Sequence, residues 1–433
     1  MKKMKKVEKM KSFRFSNLIM LAMASLLVFT TSCKDDEEED PSGGLDGTRL
    51  WGDLTENITL SANTTYQLDG SVHVKEGATI TINEGVTVEA NASKVSYLLI
   101  EQGARINAAG TAGKPIVFTS DAASPAPGDW GGIMICGNAT INAEGGTGVS
   151  EVGNATYGGN NDNDDSGILQ YIRLEYTGVA FDEDHEANGF AFYAVGDATT
   201  VDHLQSYKGA DDGFEFFGGT VNTKYLVSTH SEDDSFDWTE GWRGKGQFWL
   251  ANQGGDGGDR GIEGDNSKSN NTATPYSFPI LSNITLIGNN FDGTYGMKLR
   301  EGTKAEIYNV IVSGFPKRSV HVEHNQTLTN LNNDELNLDY AYLCDDVSDV
   351  AVKYSVSTVM EGGEEIDDPN GPSVNEEQKF ENSDNVVLDA LNADHSTVYS
   401  GGINASGINA FFDSSSDIGS GSDWTSGWTI GVN

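Results

Sequence analysis

FAFYAV at residues 190–195 is followed by FEFFGG at 214–219 and FDWTEG at 236–241, so an aromatic phrase returns after 24 and then 22 residues. A unit this short cannot enclose its own core and must stack on its neighbours, which makes the repeat the strongest constraint on the fold. Fainter echoes extend it in both directions: EGATI at 76–80, QGARI at 102–106 and GNATI at 137–141 before it, GIEGD at 261–265, GMKLREG at 296–302 and SVHVEHN at 319–325 after it. The interval of 35 from Gly261 to Gly296 requires an inserted loop, which NSKSNNTATPYSFP at 266–279 supplies.

Apolar residues alternate over four to six positions and are then interrupted by Gly, Asn, Asp or Ser, with 52 glycines for tight corners. That pattern predicts strands and argues against helices. A β-sandwich would not restate one phrase coil after coil. The expected fold is therefore all-β, a right-handed parallel β-helix over residues 49–344 with about a dozen coils, each about 4.8 Å from the next. Residues 345–433 are expected to be loop-rich coils and an irregular cap. Its closing SDWTSGWTIGVN restates the DWTEGW of 237–242 and is predicted to cover the exposed edge of the last coil.

The chain opens with seven basic residues against one acid before and within a short apolar run from Leu18 to Thr30, which reads as a secretory signal over 1–32. Thr31-Ser32-Cys33 resembles a bacterial lipobox, which implies cleavage before Cys33, acylation of that cysteine and a lipid anchor. KDDEEED at 34–40 begins an acidic linker, 33–48, and resembles the tag of surface-exported lipoproteins. An acidic run also serves as a simple solvated linker. No later run reaches the length of a membrane helix, which argues against transport by this chain alone.

Removing 1–32 takes the formal charge from −38 to −44, which argues against nucleic acid as a partner and favours cations. Cys136 and Cys344 sit in apolar runs and read as buried small hydrophobes.

VHVKEGATITINEG, GTAGKPIVFTS, GDWGGIMICG, ADDGFEFFGGTVN, DDSFDWTEGW and DWTSGWT together resemble a group of Bacteroidota outer-membrane β-helix lipoproteins related in fold to pectate lyases. The resemblance covers nearly the whole mature chain. It implies the fold and an outer-membrane, surface-exposed location, but no catalytic residues; the label multidrug transporter often given to the group has no support in these residues.

If Phe214, Phe216, Phe236 and Trp238 face the core, period-two alternation turns Glu215, Asp237, Glu263, Lys298 and His321 outward in one row, with Phe217, Thr239, Asp265, Arg300 and Glu323 beside it. The double aspartates Asp211-Asp212 and Asp233-Asp234 lie at the turns leading into this row. Adjacent acids at about 4.8 Å repel by about 0.9 kcal/mol in water and about 3.5 kcal/mol at an effective dielectric of 20, so screening, protonation or a cation must intervene. Calcium, which takes six to eight hard oxygens, suits Asp211, Asp212, Asp233 and Asp234. The first aspartates could equally cap their own turns, and the row could be an ordinary solvated face. Tyr193, Phe217 and Trp242, expected outward or on a turn, are candidates for stacking on sugar rings. His185 and His230 lie among acids that should raise an imidazole pKa. NNDNDDSG at 160–167 lacks the twelfth-position glutamate of an EF-hand but leaves room for a looser calcium loop.

Three functions follow from this face. The first is binding of an extended ligand, a glycan or surface polymer, with calcium. The second is a polysaccharide lyase or glycoside hydrolase, with Asp212, Asp234, Lys298 and Arg300 as candidate catalytic residues. The third is an adhesin for a host protein, or work beside an outer-membrane transporter. Polygalacturonases share a double aspartate and an Arg-Ile-Lys strand, but their Gly-His-Gly is missing here and Lys298-Leu299-Arg300 reverses the basic pair.

Overall fold

The computed structural model describes residues 43–181, 186–254, 257–344, 350–381, 384–388 and 393–432. Cys33, the acidic run after it and His185 lie outside the described residues. Twenty-five strands join one sheet, and apart from the first hairpin they pair in parallel with equivalent strands of the neighbouring coil. The chain is the expected all-β solenoid, a parallel β-helix. Among the described residues no helix is long and apolar enough to cross a membrane.

A typical coil has a short strand, such as Phe214–Phe217, a turn, and a long strand, such as Asn222–Thr229, bent in its middle. The repeated aromatic phrase is explained by packing. Phe190, Phe214 and Phe236 stack with centroids 5.2 and 5.5 Å apart, Phe192 lies 5.2 Å from Phe216, and all are fully buried. Gly213 precedes the strand because a Cβ there would stand 2.5 Å from Ser228 Oγ and 2.7 Å from Ser235 O. The core therefore dictates both the glycine and the aromatics of the phrase.

Each long strand bends at one residue with positive φ: Tyr171, His203, Tyr225, Phe248, Asn283, Asn309 and Tyr340 all lie between 50° and 59°. For residues other than Asn this conformation costs about 1–2 kcal/mol. Stacking offsets the cost: Tyr171–His203 and His203–Tyr225 are both 4.2 Å apart and Tyr225–Phe248 4.9 Å.

The carboxy-terminal segment does not close the last coil, as its likeness to DWTEGW had suggested. It runs back along this ladder as a strap. Tyr399 stacks on Tyr342 at 4.1 Å, Ile403 N–H donates to Asn309 Oδ1 (3.0 Å), Asp413 N–H to Gln247 Oε1 (2.7 Å) and Ile430 N–H to Gln205 Oε1 (3.0 Å). The polar side chains of the bends need partners for their donors and acceptors, and the strap's backbone provides them. Trp428 is fully buried against Val227, Leu250 and Tyr171.

A second departure is the excursion over 137–166. GNATI, expected as another strand, begins this excursion instead. Gln102 Nε2 holds its first residue and a later turn together through Gly137 O (2.9 Å) and Gly158 O (2.8 Å). It covers the outward side of Leu99, Met134 and Ala191 with Ile141, Val152 and Tyr157, forming a second apolar layer outside the solenoid. Cys136 lies in this layer; it and Cys344 are buried, and neither forms a disulfide.

If the strap belongs to the cooperative unit, Trp428→Ala will lower the unfolding free energy by roughly 3–5 kcal/mol in a urea titration, as Phe216→Ala should in the core. A loss below about 1 kcal/mol for Trp428→Ala would identify the strap as a loose end.

Candidate functional site

Strand register places one outward position of successive coils in line: Asp53, His73, Leu99, Met134, Ala191, Glu215, Asp237, Glu263, Lys298, His321 and Lys353. The expected row of Glu215, Asp237, Glu263, Lys298 and His321 is thus present. Its surroundings are not those of an exposed strand. Asp212, Glu215, Asp237 and Glu263 line a pocket of about 290 Å³ with Asp211, Asp233 and Asp234 from the turns and Glu151 from the excursion. Glu186 and Asn188 complete one wall, and Arg260 is the one basic residue among the eleven lining it.

The aspartate pairs divide their tasks. Asp211 has the backbone N–H of Asp212 beside it in its own turn, which favours its charged form against burial. The second aspartates instead reach forward one coil: Asp212 Oδ1 accepts Asp234 N–H at 2.9 Å, and Asp234 Oδ1 accepts Arg260 N–H at 2.8 Å. Positions 212, 234 and 260 are therefore equivalent, and the third carries arginine. Its guanidinium reaches Asp234 (Nη1–Oδ2, 3.2 Å), Asp259 (Nη1–Oδ2, 2.8 Å) and Glu263 (Nε–Oε1, 2.9 Å). Arg300 adds a second guanidinium on Glu263 (2.5 Å) and Asp265 (3.0 Å).

On the preceding coil Asp212, Glu215 and Asp237 bring carboxylate oxygens within 4.8 Å of one another, as do Asp211, Asp212 and Asp233. Asn188 donates to Glu215 Oε2, and Asp237 Oδ1 is buried without a hydrogen-bond partner. Burial, then Glu186 and Asp233, raises the Asp211 pKa to about 7. Burial and neighbouring acids push Asp212, Glu215 and Asp237 well above the carboxylate range. Burial raises Asp234 as well, although Arg260 opposes the rise. A hard cation is one species that would satisfy these oxygens together; bound protons are the other.

The basic end of the row is already paired. Lys298 Nζ lies 3.1 Å from Glu323, and burial works against the Arg300 charge but is outweighed by Asp265 and Glu263, which raise its pKa. Burial, with the cations Lys298, Lys353 and Arg318 around it, lowers His321 to about 4, although Glu323 opposes them, and its Nε2 lies 3.0 Å from Ser355 Oγ.

Several expectations need correcting. Tyr193 and Phe217, expected to be available for stacking, are buried beneath the excursion, 4.3 Å apart, with Tyr157 on Tyr193 at 5.0 Å. Trp242, expected on a turn, is fully buried in the core, 4.3 Å from Phe216. His230 has its pKa lowered rather than raised, by burial and then Lys208. In NNDNDDSG the carboxylates are spent internally: Asp162 on Thr140 N–H and Arg243, Asp164 on Asn138 and Ser166, Asp165 on Gly167 N–H.

Glu151, Glu186 and Arg260 were not anticipated. Arg260 was legible, since 212, 234 and 260 repeat the spacing of 215, 237 and 263. Also unanticipated is a pocket of about 520 Å³ farther along the face, where His73 Nδ1 (2.9 Å) and Lys75 Nζ (2.6 Å) both meet Glu101 Oε1 and His73 Nε2 lies 3.0 Å from Tyr97 Oη. The alternation of VHVKEG, with His73 and Lys75 two apart, carried that signal.

The family model described as pectate-lyase like beta helix domain matches residues 52–429. Neither the curated proteins nor the solved structures give a match.

The raised carboxyls set a pH dependence. Folded, Asp211 titrates at about 7 against 3.8 for the free side chain, so the folded chain holds more protons between those values and stability falls as pH rises through that window. Calorimetry in EDTA should give a higher Tm at pH 5 than at pH 8, and Asp211→Asn should reduce the difference without abolishing it, since Asp212, Glu215 and Asp237 are raised as well. A Tm that climbs from pH 5 to pH 8 would contradict this.

Proposed function

Since the chain belongs to the family of pectate-lyase-like β-helix domains, we propose that its acidic face holds a divalent cation, calcium by the chemistry of its donors, and through it binds an extended glycan. The observation that carries the reading is the group Asp212, Glu215 and Asp237, whose oxygens converge without a cationic side chain while Asp237 Oδ1 lies buried and unpaired. Calcium accepts more oxygens than these three carboxylates offer as single ligands, which leaves coordination positions for water or for sugar hydroxyls and carboxylates. The row runs from coil to coil, and a ligand lying along it would be extended. With Tyr193, Phe217 and Trp242 buried, binding rests on the cation and on hydrogen bonds rather than on those rings.

A hydrolase is the second reading, and one observation favours it. Asp211, raised to about 7 among other carboxyls, has the proton affinity of a general acid at neutral pH. A lyase using Arg300 as base is disfavoured, because Asp265 and Glu263 hold that guanidinium charged.

A glycan array probed with and without EDTA tests both. Retention of intact glycans that EDTA abolishes, and that Asp237→Asn weakens at least tenfold, is expected. New reducing ends would establish the hydrolase instead, and silence on every glycan with or without calcium would overturn glycan binding.

The location proposed for this activity is the outer surface of the outer membrane, anchored by lipid on Cys33. Cys33→Ser is expected to abolish incorporation of labelled palmitate and move the protein from the membrane to the soluble fraction. An unchanged label would refute the anchor.

A further inference from the structure

The carboxylates of the pocket are two copies of one arrangement, displaced by one coil. Asp212, Glu215 and Asp237 form the first copy; Asp234, Asp237 and Glu263 occupy the same positions one coil later. The turns repeat it, with Asp211, Asp212 and Asp233 followed by Asp233, Asp234 and Asp259. In both cases the oxygens of a copy lie within 4.8 Å of one another.

The copies differ in what neutralises them. In the later one the guanidinium of Arg260 touches Asp234, Asp259 and Glu263, and so bridges the strand group and the turn group together. Arg260 stands at the repeat position that Asp212 and Asp234 occupy in the two coils before it. The substitution both removes a carboxylate and delivers a cation. In the earlier copy that position is Asp234, and no lysine or arginine lines the pocket there. The fit of the guanidinium is incomplete: Arg260 Nε and Glu263 Oε1 lie 2.9 Å apart but neither atom makes a geometrically sound hydrogen bond, and Asp237 Oδ1, shared by both strand groups, is unpaired.

We infer that Arg260 is a tethered cation filling the second copy of a duplicated metal-binding arrangement, so that it sets how many divalent ions the face accepts. The inference rests on the cation reading above for its first copy, but the second copy is tested separately. Neutralising Arg260 leaves Asp234, Asp237, Asp259 and Glu263 facing one another, with Arg300 still on Glu263 Oε2 alone among them, and a hard divalent ion is then the natural replacement, since its charge and oxygen preference match what the lost guanidinium supplied. Lysine at 260 keeps a charge at the same place and should keep the second copy closed.

The experiment measures calcium stoichiometry on the full chain by isothermal titration and native mass spectrometry, for the wild type, Arg260→Met and Arg260→Lys. One additional calcium per chain in Arg260→Met, and none in Arg260→Lys, is the expected result. Equal stoichiometry in the wild type and Arg260→Met overturns the inference and, if the shared value is one or more, leaves the cation reading standing. No calcium on the wild type but one on Arg260→Met sinks the cation reading for the first copy and upholds the role of Arg260. If Arg260→Met folds only with calcium present, the comparison is made by thermal shift: a calcium-induced rise in Tm larger than that of the wild type supports the inference, and an equal or smaller rise overturns it.

Discussion

Everything in this molecule follows from stacking each residue on its equivalent one coil away, about 4.8 Å distant. For Phe190, Phe214 and Phe236 that constraint is favourable, because ring packs on ring and the core continues without a break. For bends that force positive φ it is tolerable, because the stacked rings of Tyr171, His203, Tyr225 and Phe248 offset the backbone cost. For acids it is unfavourable, since a carboxylate in one coil meets a carboxylate in the next at a distance fixed by backbone hydrogen bonds that the side chains cannot change.

The outward row shows how differently one problem is met along one face. Leu99, Met134 and Ala191 remove charge altogether and are covered by the 137–166 excursion. Glu263 is met by the guanidiniums of Arg260 and Arg300. Beyond it the row becomes basic, with Lys298 against Glu323 and a His321 that burial keeps neutral. Between the apolar cover and the guanidiniums lie Glu215 and Asp237, the two positions for which the chain provides no basic side chain of its own in the pocket wall.

What the amino-acid order revealed and what it concealed divide along the same line. Whatever repeats was legible: the coil length, the core aromatics, and the row Glu215, Asp237, Glu263, Lys298 and His321, because alternation and spacing suffice to stack equivalent positions. Arg260 obeyed the same spacing and was within reach. Whatever interrupts the repeat was not. The burial of Tyr193 and Phe217 depends on an excursion that folds back over them, and the strap crosses bends far earlier in the chain, as Ile403 does at Asn309, 94 positions before it. The lowered pKa of His230 likewise came from burial and Lys208, neither of which its acidic neighbours in sequence disclosed.

Rigidity then decides what the acidic pocket can do. A flexible acidic loop would relax by turning its carboxylates apart, and the repulsion would vanish. Here Asp212 and Asp234 are each fastened to a backbone N–H of the following coil, Glu215 and Asp237 lie on strands paired on both sides, and Gln102 ties down the excursion carrying Glu151. At an effective dielectric of 20 each adjacent charged pair would cost about 3.5 kcal/mol, so the pocket cannot remain fully ionised and empty of counter-charge at little expense. It must hold protons, as the raised carboxyls indicate, or a cation. Proton and metal therefore compete for the same oxygens, and the affinity of this face for a divalent ion should rise with pH for the reason that the ion-free fold weakens.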